Sequence, residues 1–336
     1  MSALTGLRAG LIGLGAMGRH HARVLNSLDG VQLVGILDPA PGAAAPYGVP
    51  VVSDLEQLLA LRLDYAVIAC PTALHEEIGL RLAASGVHAL IEKPLASSVD
   101  AAGRLVETFE RNGLVGAVGH IERYNPSLQS LRARLEAGEL GDMYQVVTRR
   151  QGPFPNRIAD VGVVMDLATH DIDLTAWVTG REYVDVAART VSRSGRPHED
   201  MVSAVAALED GLMANHLVNW LSPFKERSTV ITGERGSFVA DTLTADLTFY
   251  ANGAMSTEWE ALRAFRGVAE GDMIRYAIQK REPLLVEHER FRDAVEGKES
   301  DIVTLRQGMR TVQVAAAVLR SARECSTVPV PPMQEG

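Results

Sequence analysis

Gly13-Leu14-Gly15-Ala16-Met17-Gly18 places three glycines at the spacing G-x-G-x-x-G. Where such a run follows a strand and opens a helix, each glycine has a task. The first permits a tight turn, the second lets the main chain approach a pyrophosphate, and the third lets helix and strand pack closely. The helix N-terminus then presents N–H donors and a positive dipole end to the anion. Asp38 stands 20 residues after Gly18. A carboxylate there can accept from the ribose hydroxyls of a dinucleotide and would repel an additional phosphate. Pro39, not an arginine, comes next. Gly13, Gly15, Ala16, Met17, Gly18 and Asp38 thus form a candidate cofactor cradle that favours NAD over NADP; the plainer alternative is a glycine-rich turn with an aspartate at a strand end.

Two further groups could move protons. Glu92-Lys93-Pro94 follows an apolar run ending at Ile91. In an open parallel sheet, ligands sit beyond the carboxyl ends of the strands, so a lysine there can reach a bound cofactor and substrate. Pro94 fixes φ and admits a cis bond. Taken by itself, Lys93 also reads as a surface lysine. Asp166, His170, Asp173 and Trp177 lie at helical offsets on one face of a run spanning 163–178, with Leu167, Leu174 and Val178 on another. A histidine kept basic by an aspartate suits general-base work near neutral pH. The alternatives are a solvated polar face or a structural His–Asp pair. The spacing D-x-x-x-H also fits metal ligation, but no convincing third ligand is evident, so no metal is expected.

The elements that must position these residues fall into two grammars. Up to about residue 120, short apolar strands (Leu7–Ile12, Val31–Leu37, Tyr65–Cys70, Val87–Ile91, Val115–Gly119) alternate with helices (Ala16–Leu28, Glu76–Ser85). That pattern predicts a doubly wound parallel sheet over 1–120. Beyond it, a helix is expected over Pro126–Ala137, a strand over Met143–Arg150, a loop at Gly152–Pro155 and a helix over Val163–Val178. Candidate strands follow at Val184–Val191, Met201–Leu208, Leu212–Leu221, Arg227–Thr232 and Leu247–Tyr250, a mostly antiparallel sheet. Helices near 284–296 and 305–323 and an extended tail complete a second domain over 121–336, whose terminal helices could return to the first. Alternation puts His216 and Trp220 on one face of their strand and Asn219 on the other, suited to packing or an interface. Glu234-Arg235, between two glycines, reads as a turn.

Composition narrows the classes. The chain has 336 residues, a net charge of −9, 46% hydrophobic and 22% charged residues. That is enough apolar side chain for large cores, which argues against disorder, and the acidic balance argues against nucleic-acid binding. No apolar run approaches the ~20 residues of a membrane span, and no signal peptide is read. The two cysteines, Cys70 and Cys325, make no disulfide framework. These features point to a cytoplasmic protein.

The Gly13–Gly18 loop, Asp38, Cys70-Pro71-Thr72 to His75, Glu92-Lys93-Pro94 and Asp166-x-x-x-His170, in this order, resemble the glucose–fructose oxidoreductase/inositol dehydrogenase (Gfo/Idh/MocA) family over nearly the whole chain. The resemblance implies an N-terminal Rossmann domain, then an α/β domain with a large, open, mostly antiparallel sheet that binds substrate and builds a homodimer or homotetramer. It implies a catalytic group of Lys93, Asp166 and His170, with Pro71, Thr72, His75, Glu92 and Lys93 beside the cofactor. A narrower resemblance lies in residues 119–126, 149–155 and 160–171. It points to the branch of UDP-N-acetylglucosamine 3-dehydrogenases and related nucleotide-sugar oxidoreductases. On that reading Arg123, Arg149, Arg150 and Arg157 are available to grip a diphosphate, with His120 and Asn125 placed nearby in sequence. The competing expectations are an oxidoreductase of a free polyol such as inositol, and a non-catalytic NAD(H) sensor.

Overall fold

A computed structural model describes residues 6–40, 46–154, 161–253 and 271–332. The described chain divides into two compact units, residues 1–121 with 282–316 and residues 122–281 with 317–336.

Unit 1 is built on six strands, β1 (Leu7–Ile12), β2 (Val31–Leu37), β3 (Val51–Val52), β4 (Tyr65–Ile68), β5 (His88–Glu92) and β6 (Gly116–Gly119). They pair in the order β3-β2-β1-β4-β5-β6, every pair parallel. The strands are short apolar runs because both faces are covered by crossover helices, as parallel sheets require. The helices are α1 (Ala16–Ser27), α2 (Leu55–Leu59), α3 (His75–Ala84) and α4 (Val99–Arg111). The helix α4 escapes the strand–helix alternation read above. Its signals are nonetheless present: Ser98 Oγ accepts from the Ala101 N–H as an N-cap, and Ala102, Leu105, Val106 and Phe109 bury one stripe. The chain reverses direction in the sheet between β1 and β4, where doubly wound folds open their ligand crevice. The helix α7 (Pro283–Val295) returns to unit 1, with Phe291 edge-on to Tyr65 in the core at 5.3 Å between ring centres.

Unit 2 carries nine strands: β7 (Met143–Pro153), β8 (Tyr183–Val191), β9 (Met201–Leu208), β10 (Met213–Asn219), β11 (Leu221–Gly233), β12 (Gly236–Asp241), β13 (Asp246–Ala251), β14 (Met273–Arg275) and β15 (Val328–Pro329). Their order is β14-β13-β12-β11-β7-β10-β9-β8-β15. All pairs are antiparallel except β7 with β10, which is parallel. The strand β12, which is not among the strands expected above, forms a hairpin with β11 around the expected Glu234-Arg235 turn. The helices α5 (Pro126–Glu136) and α6 (Thr169–Thr179) belong to this unit, and α8 (Leu305–Glu324) runs from the end of unit 1 into it.

The expected helix over 163–178 is not continuous. Val164–Ala168 form a single π turn, and the α-helix begins only at Thr169. Glu199 organises this entry: its main-chain oxygen accepts from the Val163 N–H at 3.0 Å, and its Oε1 accepts from the Val164 N–H at 3.0 Å. A π turn is wider than the α-helix, so the offset of four from Asp166 to His170 is not that of a regular helix. Such single turns recur at functional sites. Among the described residues no helix is long and apolar enough to cross a membrane.

Candidate active site

In unit 1, the cradle, Asp38, the Cys70–His75 segment and Lys93 all stand at the carboxyl ends of β1, β2, β4 and β5 in one sheet. The glycines have distinct physical reasons. Gly13 adopts φ +97, a conformation that disfavours any side chain, and a Cβ there would meet the Ala69 carbonyl. A Cβ on Gly18 would collide with the Gly13 carbonyl, so this glycine is the close helix–strand contact. Gly15 is the N-cap residue of α1, and a Cβ on it would point into open space. Among the described residues nothing crowds a side chain at 15, and the main chain there is open to an approaching ligand. Ala16 is exposed and Met17 half-buried at the same helix N-terminus. The residues fit a pyrophosphate.

Asp38 is engaged by the loop it faces. Its Oδ2 accepts from the Leu14 N–H at 2.6 Å and its Oδ1 from the Ala40 N–H at 2.9 Å. It shapes the cradle, and its charge stands beside it. Pro71 is exposed and Thr72 opens a short 3-10 turn. His75 is buried, with Nδ1 at 3.0 Å from the Pro94 carbonyl and Nε2 at 3.0 Å from the Cys70 carbonyl, and burial lowers its pKa. It braces the two segments that flank Lys93. The Lys93–Pro94 peptide is cis. Glu92 closes β5 and turns back, so that its Oε2 accepts from the Lys93 N–H at 3.1 Å. Burial raises the Cys70 thiol to about 11, which makes it an unreactive thiol. His120 is buried at the end of β6. A cavity of about 510 Å³ lined in part by Arg8, Gln32 and Tyr47 lies at the amino ends of β1 and β2, the edge opposite the cradle, and is separate from it.

In unit 2, the charges expected on one helix face divide sharply. Asp173 is 3% exposed and receives Arg123, itself 6% exposed, through two hydrogen bonds: Nε to Oδ2 at 2.8 Å and a terminal nitrogen to Oδ1 at 2.7 Å. Trp177 lies beside it, with Arg132 over the indole at 4.7 Å. Asp173 and Trp177 therefore face α5 in the interior, not solvent. Arg150 is also buried. Its Nε donates to Asp171 Oδ2 at 2.8 Å and a terminal nitrogen to Glu122 Oε1 at 2.8 Å. Burial opposes the Arg150 charge, but Asp171 and Glu122 outweigh it and raise the guanidinium further. Burial raises Asp171, with Arg150 pulling the other way. Arg149, the next residue along β7, points to the opposite face and is exposed, 3.8 Å from Glu226. Asn125 caps α5 through Oδ1 to the Ser127 N–H, and its Nδ2 donates to the Thr242 carbonyl at 3.0 Å. Arg157 lies outside the described residues.

Asp166 sits buried inside the π turn, and His170 is half-buried in the first turn of α6. The structure adds a residue that sequence reasoning missed. Arg227 on β11 is directly opposite Arg150 on β7, on the face that carries α6. Its side chain donates to the main-chain oxygens of Gln151 at 2.6 Å and Glu226 at 2.8 Å. Burial first, then Arg150, lowers its pKa, while Asp171, Glu122 and Asp166 act in the opposite sense. Arg227 is thus a half-buried cation held by neutral carbonyls within reach of the Asp166 field. The detectable signal was its parity with buried Thr229 and Ile231 along one strand. His216 also proves structural. It lies between Thr148 Oγ1 at 2.7 Å and the Tyr183 hydroxyl at 2.8 Å, and burial lowers it to about 4. Asn219 is buried like His216 and Trp220, because β10 ends there and its Oδ1 accepts from the Leu221 and Ser222 N–H groups.

Residues 7–120 match the family model of an oxidoreductase family with an NAD-binding Rossmann fold, and residues 128–239 match the Gfo/Idh/MocA C-terminal domain. UDP-N-acetylglucosamine 3-dehydrogenase of Acidithiobacillus ferrooxidans is 36% identical over 213 residues, which span 62% of this chain and 66% of that protein. Its solved structure covers 95% of this chain and 98% of its own, with a TM-score of 0.82 at 29% identity. Inositol 2-dehydrogenase 2 of Saccharopolyspora erythraea is 30% identical over 339 residues, 96% of this chain and 95% of that protein. The WlbA dehydrogenase of Bordetella pertussis, solved with NADH and UDP-GlcNAcA, shares the fold with a TM-score of 0.82 at 23% identity, over 97% of this chain and 98% of its own. With the glycine cradle, the sheet order and both domain models in agreement, the chain belongs to the Gfo/Idh/MocA family and is an NAD-dependent oxidoreductase.

Proposed function

We propose that the enzyme interconverts a secondary alcohol and a ketone on a sugar attached to a nucleotide, with Lys93, Asp166 and His170 as its acid–base group. The observation that carries this reading is the division of charge in unit 2. The carboxylates of Asp171 and Asp173 are bound to Arg150 and Arg123, while Arg227 is held by main-chain oxygens on the face of α6. Among the described residues Arg227 makes no salt bridge, whereas Arg123 and Arg150 are committed to carboxylates, so Arg227 is the cation best placed to take a substrate diphosphate.

When bound on the Gly13–Gly18 loop, NAD supplies the two-electron acceptor. His170 takes the proton of the reacting hydroxyl. Asp166 orients the Lys93/His170 pair. Lys93 donates a hydrogen bond to the oxygen as negative charge develops on it. General-base help is worth roughly 10²–10⁴-fold, so His170→Ala should lose turnover on that scale. Lys93→Met should lose at least as much while binding NAD normally. A second reading, oxidation of a free polyol, is favoured by the match to inositol 2-dehydrogenase 2 along 95% of that protein.

The experiment is the near-ultraviolet absorbance of reduced nicotinamide with NAD and a panel of UDP-N-acetylglucosamine, other nucleotide sugars and inositol, on wild-type and Arg227→Leu protein. Turnover of a nucleotide sugar, with KM raised by Arg227→Leu, supports the first reading. Turnover of inositol, indifferent to Arg227, replaces it with the second.

The enzyme also self-associates through the outer face of the unit 2 sheet. Val205, Asn215, Val147, Val230 and Val239 form one continuous cross-strand row on that face. Val205 is 45% exposed, and the Asn215 Nδ2 between Val205 and Val147 has no hydrogen-bond partner among the described residues. A row of β-branched side chains around one unsatisfied amide suits a two-fold contact with a second copy.

A further inference from the structure

Three titratable side chains, His21, Glu287 and His288, are sealed inside unit 1 behind Glu92 and Lys93. His21 on α1 places Nε2 at 2.9 Å from Glu92 Oε1 and Nδ1 at 2.8 Å from His288 Nε2. His21 and His288 are 0% exposed and Glu287 is 1% exposed. Glu287 on α7 has neither carboxyl oxygen in a hydrogen bond. The groups facing Glu92 are His21 from α1, Glu287 from α7 and Lys93 next in the chain; from β6 comes only Gly119, where a Cβ would crowd the Glu92 carboxyl at 3.2 Å. Among the described residues no group of three or more His, Cys, Asp or Glu is arranged to hold a metal ion.

Two carboxyls in one dry interior cannot both carry charge cheaply, and environment decides which one ionises. Burial raises Glu287 well above the usual carboxylate range, and the charge of Glu92 adds to it. For Glu92, burial acts in the same direction, but the His21 hydrogen bond, the fields of His21 and Lys93, and the Lys93 N–H bring it below that range. Burial, then His21, holds His288 far below its ordinary value, so it is neutral.

We propose that His21 is a positioning residue for Lys93: its hydrogen bond holds Glu92 as a carboxylate against the Lys93 main chain, while Glu287 remains a neutral acid behind it. The strand end that carries Lys93 thereby keeps the Glu92 carboxylate. Because His21 lies on the helix that the glycine cradle opens, the cofactor-binding helix and the Lys93 segment share one hydrogen-bond chain. Without His21, a buried Glu92 lowers its energy by taking a proton, and Lys93 loses both the charge-assisted bond and the neighbouring anion. The consequence for turnover rests on the role given to Lys93 above; the charge assignment does not.

The test is infrared difference spectroscopy of the protonated-carboxyl region on the protein without cofactor, near neutral pH. Glu287→Gln should remove one carboxylic acid band and Glu92→Gln should remove none. His21→Leu should add a band of equal area, absent in His21→Leu/Glu92→Gln, and His21→Gln, which keeps a donor toward Glu92, should restore the wild-type spectrum. An acid band lost in Glu92→Gln, or no new band in a folded His21→Leu protein, overturns the proposal. If His21→Leu does not fold, the Glu92→Gln spectrum and the His21→Gln spectrum still decide it. On a substrate from the panel, His21→Leu should lower kcat on the order of 10-fold with KM for NAD unchanged, and His21→Gln should recover it. Because the spectra need no substrate, failure of the substrate reading and failure of this proposal are seen separately.

Discussion

Replacing Arg123 by leucine distinguishes a structural arginine from a substrate-binding one. The side chains of Arg123 and Asp173 are 7% and 2% exposed, and two hydrogen bonds of 2.7 and 2.8 Å join them. Removing the guanidinium leaves a carboxylate in the interior of unit 2 with its main counter-charge gone. Breaking one partner of a buried pair costs about 3–5 kcal/mol, much of it the desolvation of the survivor. Unit 2 has about 180 residues, a size at which 1 kcal/mol moves the melting temperature by about 2–4 °C. The melting temperature of unit 2 should therefore fall by roughly 6–20 °C. Because the chain has two units, the transition should be followed by calorimetry, where the loss should appear in one component only. The double variant Arg123→Leu/Asp173→Leu removes both charges and should recover much of the loss. In the material that remains folded, KM for the substrate should be near wild type. Unchanged melting together with a raised KM would refute the assignment and return Arg123 to the substrate.

Three further outcomes are expected. Gly15→Val should leave the melting curve unchanged and weaken NAD binding at least tenfold by NADH fluorescence titration, whereas Gly18→Ala should lower stability as well, because its Cβ meets the Gly13 carbonyl. His216 titrates near 4 in the folded protein against about 6.5 unfolded, so its contribution to stability is complete above pH 6.5 and is lost as pH falls from 6.5 to 4, by up to about 3 kcal/mol; urea unfolding of His216→Gln should lose this one-proton slope. Val147→Arg, in the middle of the outer sheet row, should leave the fold intact and yield a monomer by light scattering if wild type is a dimer or higher.

The parts of this protein legible in sequence are those whose physics is local. The cradle is read directly because turn, close approach and helix start lie within six residues. The parallel sheet of unit 1 is read because both faces are covered, which makes every strand an apolar run. The alternation of the long strands also holds: Arg149 and Arg150 must point apart, and they do. The helix α4 is equally legible from its Ser98 cap and apolar stripe. The π turn is different. Nothing in Val163–Ala168 forbids an ordinary helix, and the contacts that hold its entry come from Glu199, which binds the Val163 and Val164 N–H groups from a distant loop.

The candidate site divides along the same line. Residue types alone make Arg123, Arg149, Arg150 and Arg227 equivalent cations. Their chemistry is decided by which carboxylates the fold brings within 3 Å, and those partners lie 50 residues from Arg123 and 21 from Arg150. Arg227 becomes interesting only through strand register, since its pairing with Arg150 sets it on the α6 face. The interior of unit 1 is more remote still. His21 meets His288 across 267 residues and Glu92 across 71, with no periodicity to announce either contact. Buried charge is also where physics constrains the answer most tightly. Glu287 has no hydrogen-bond partner among the described residues whereas Glu92 accepts from His21, and that hydrogen bond keeps the charge on the carboxyl beside Lys93. A motif such as Glu-Lys-Pro is therefore incomplete as a chemical statement until the groups behind it are known, because they determine whether its glutamate is an anion or an acid.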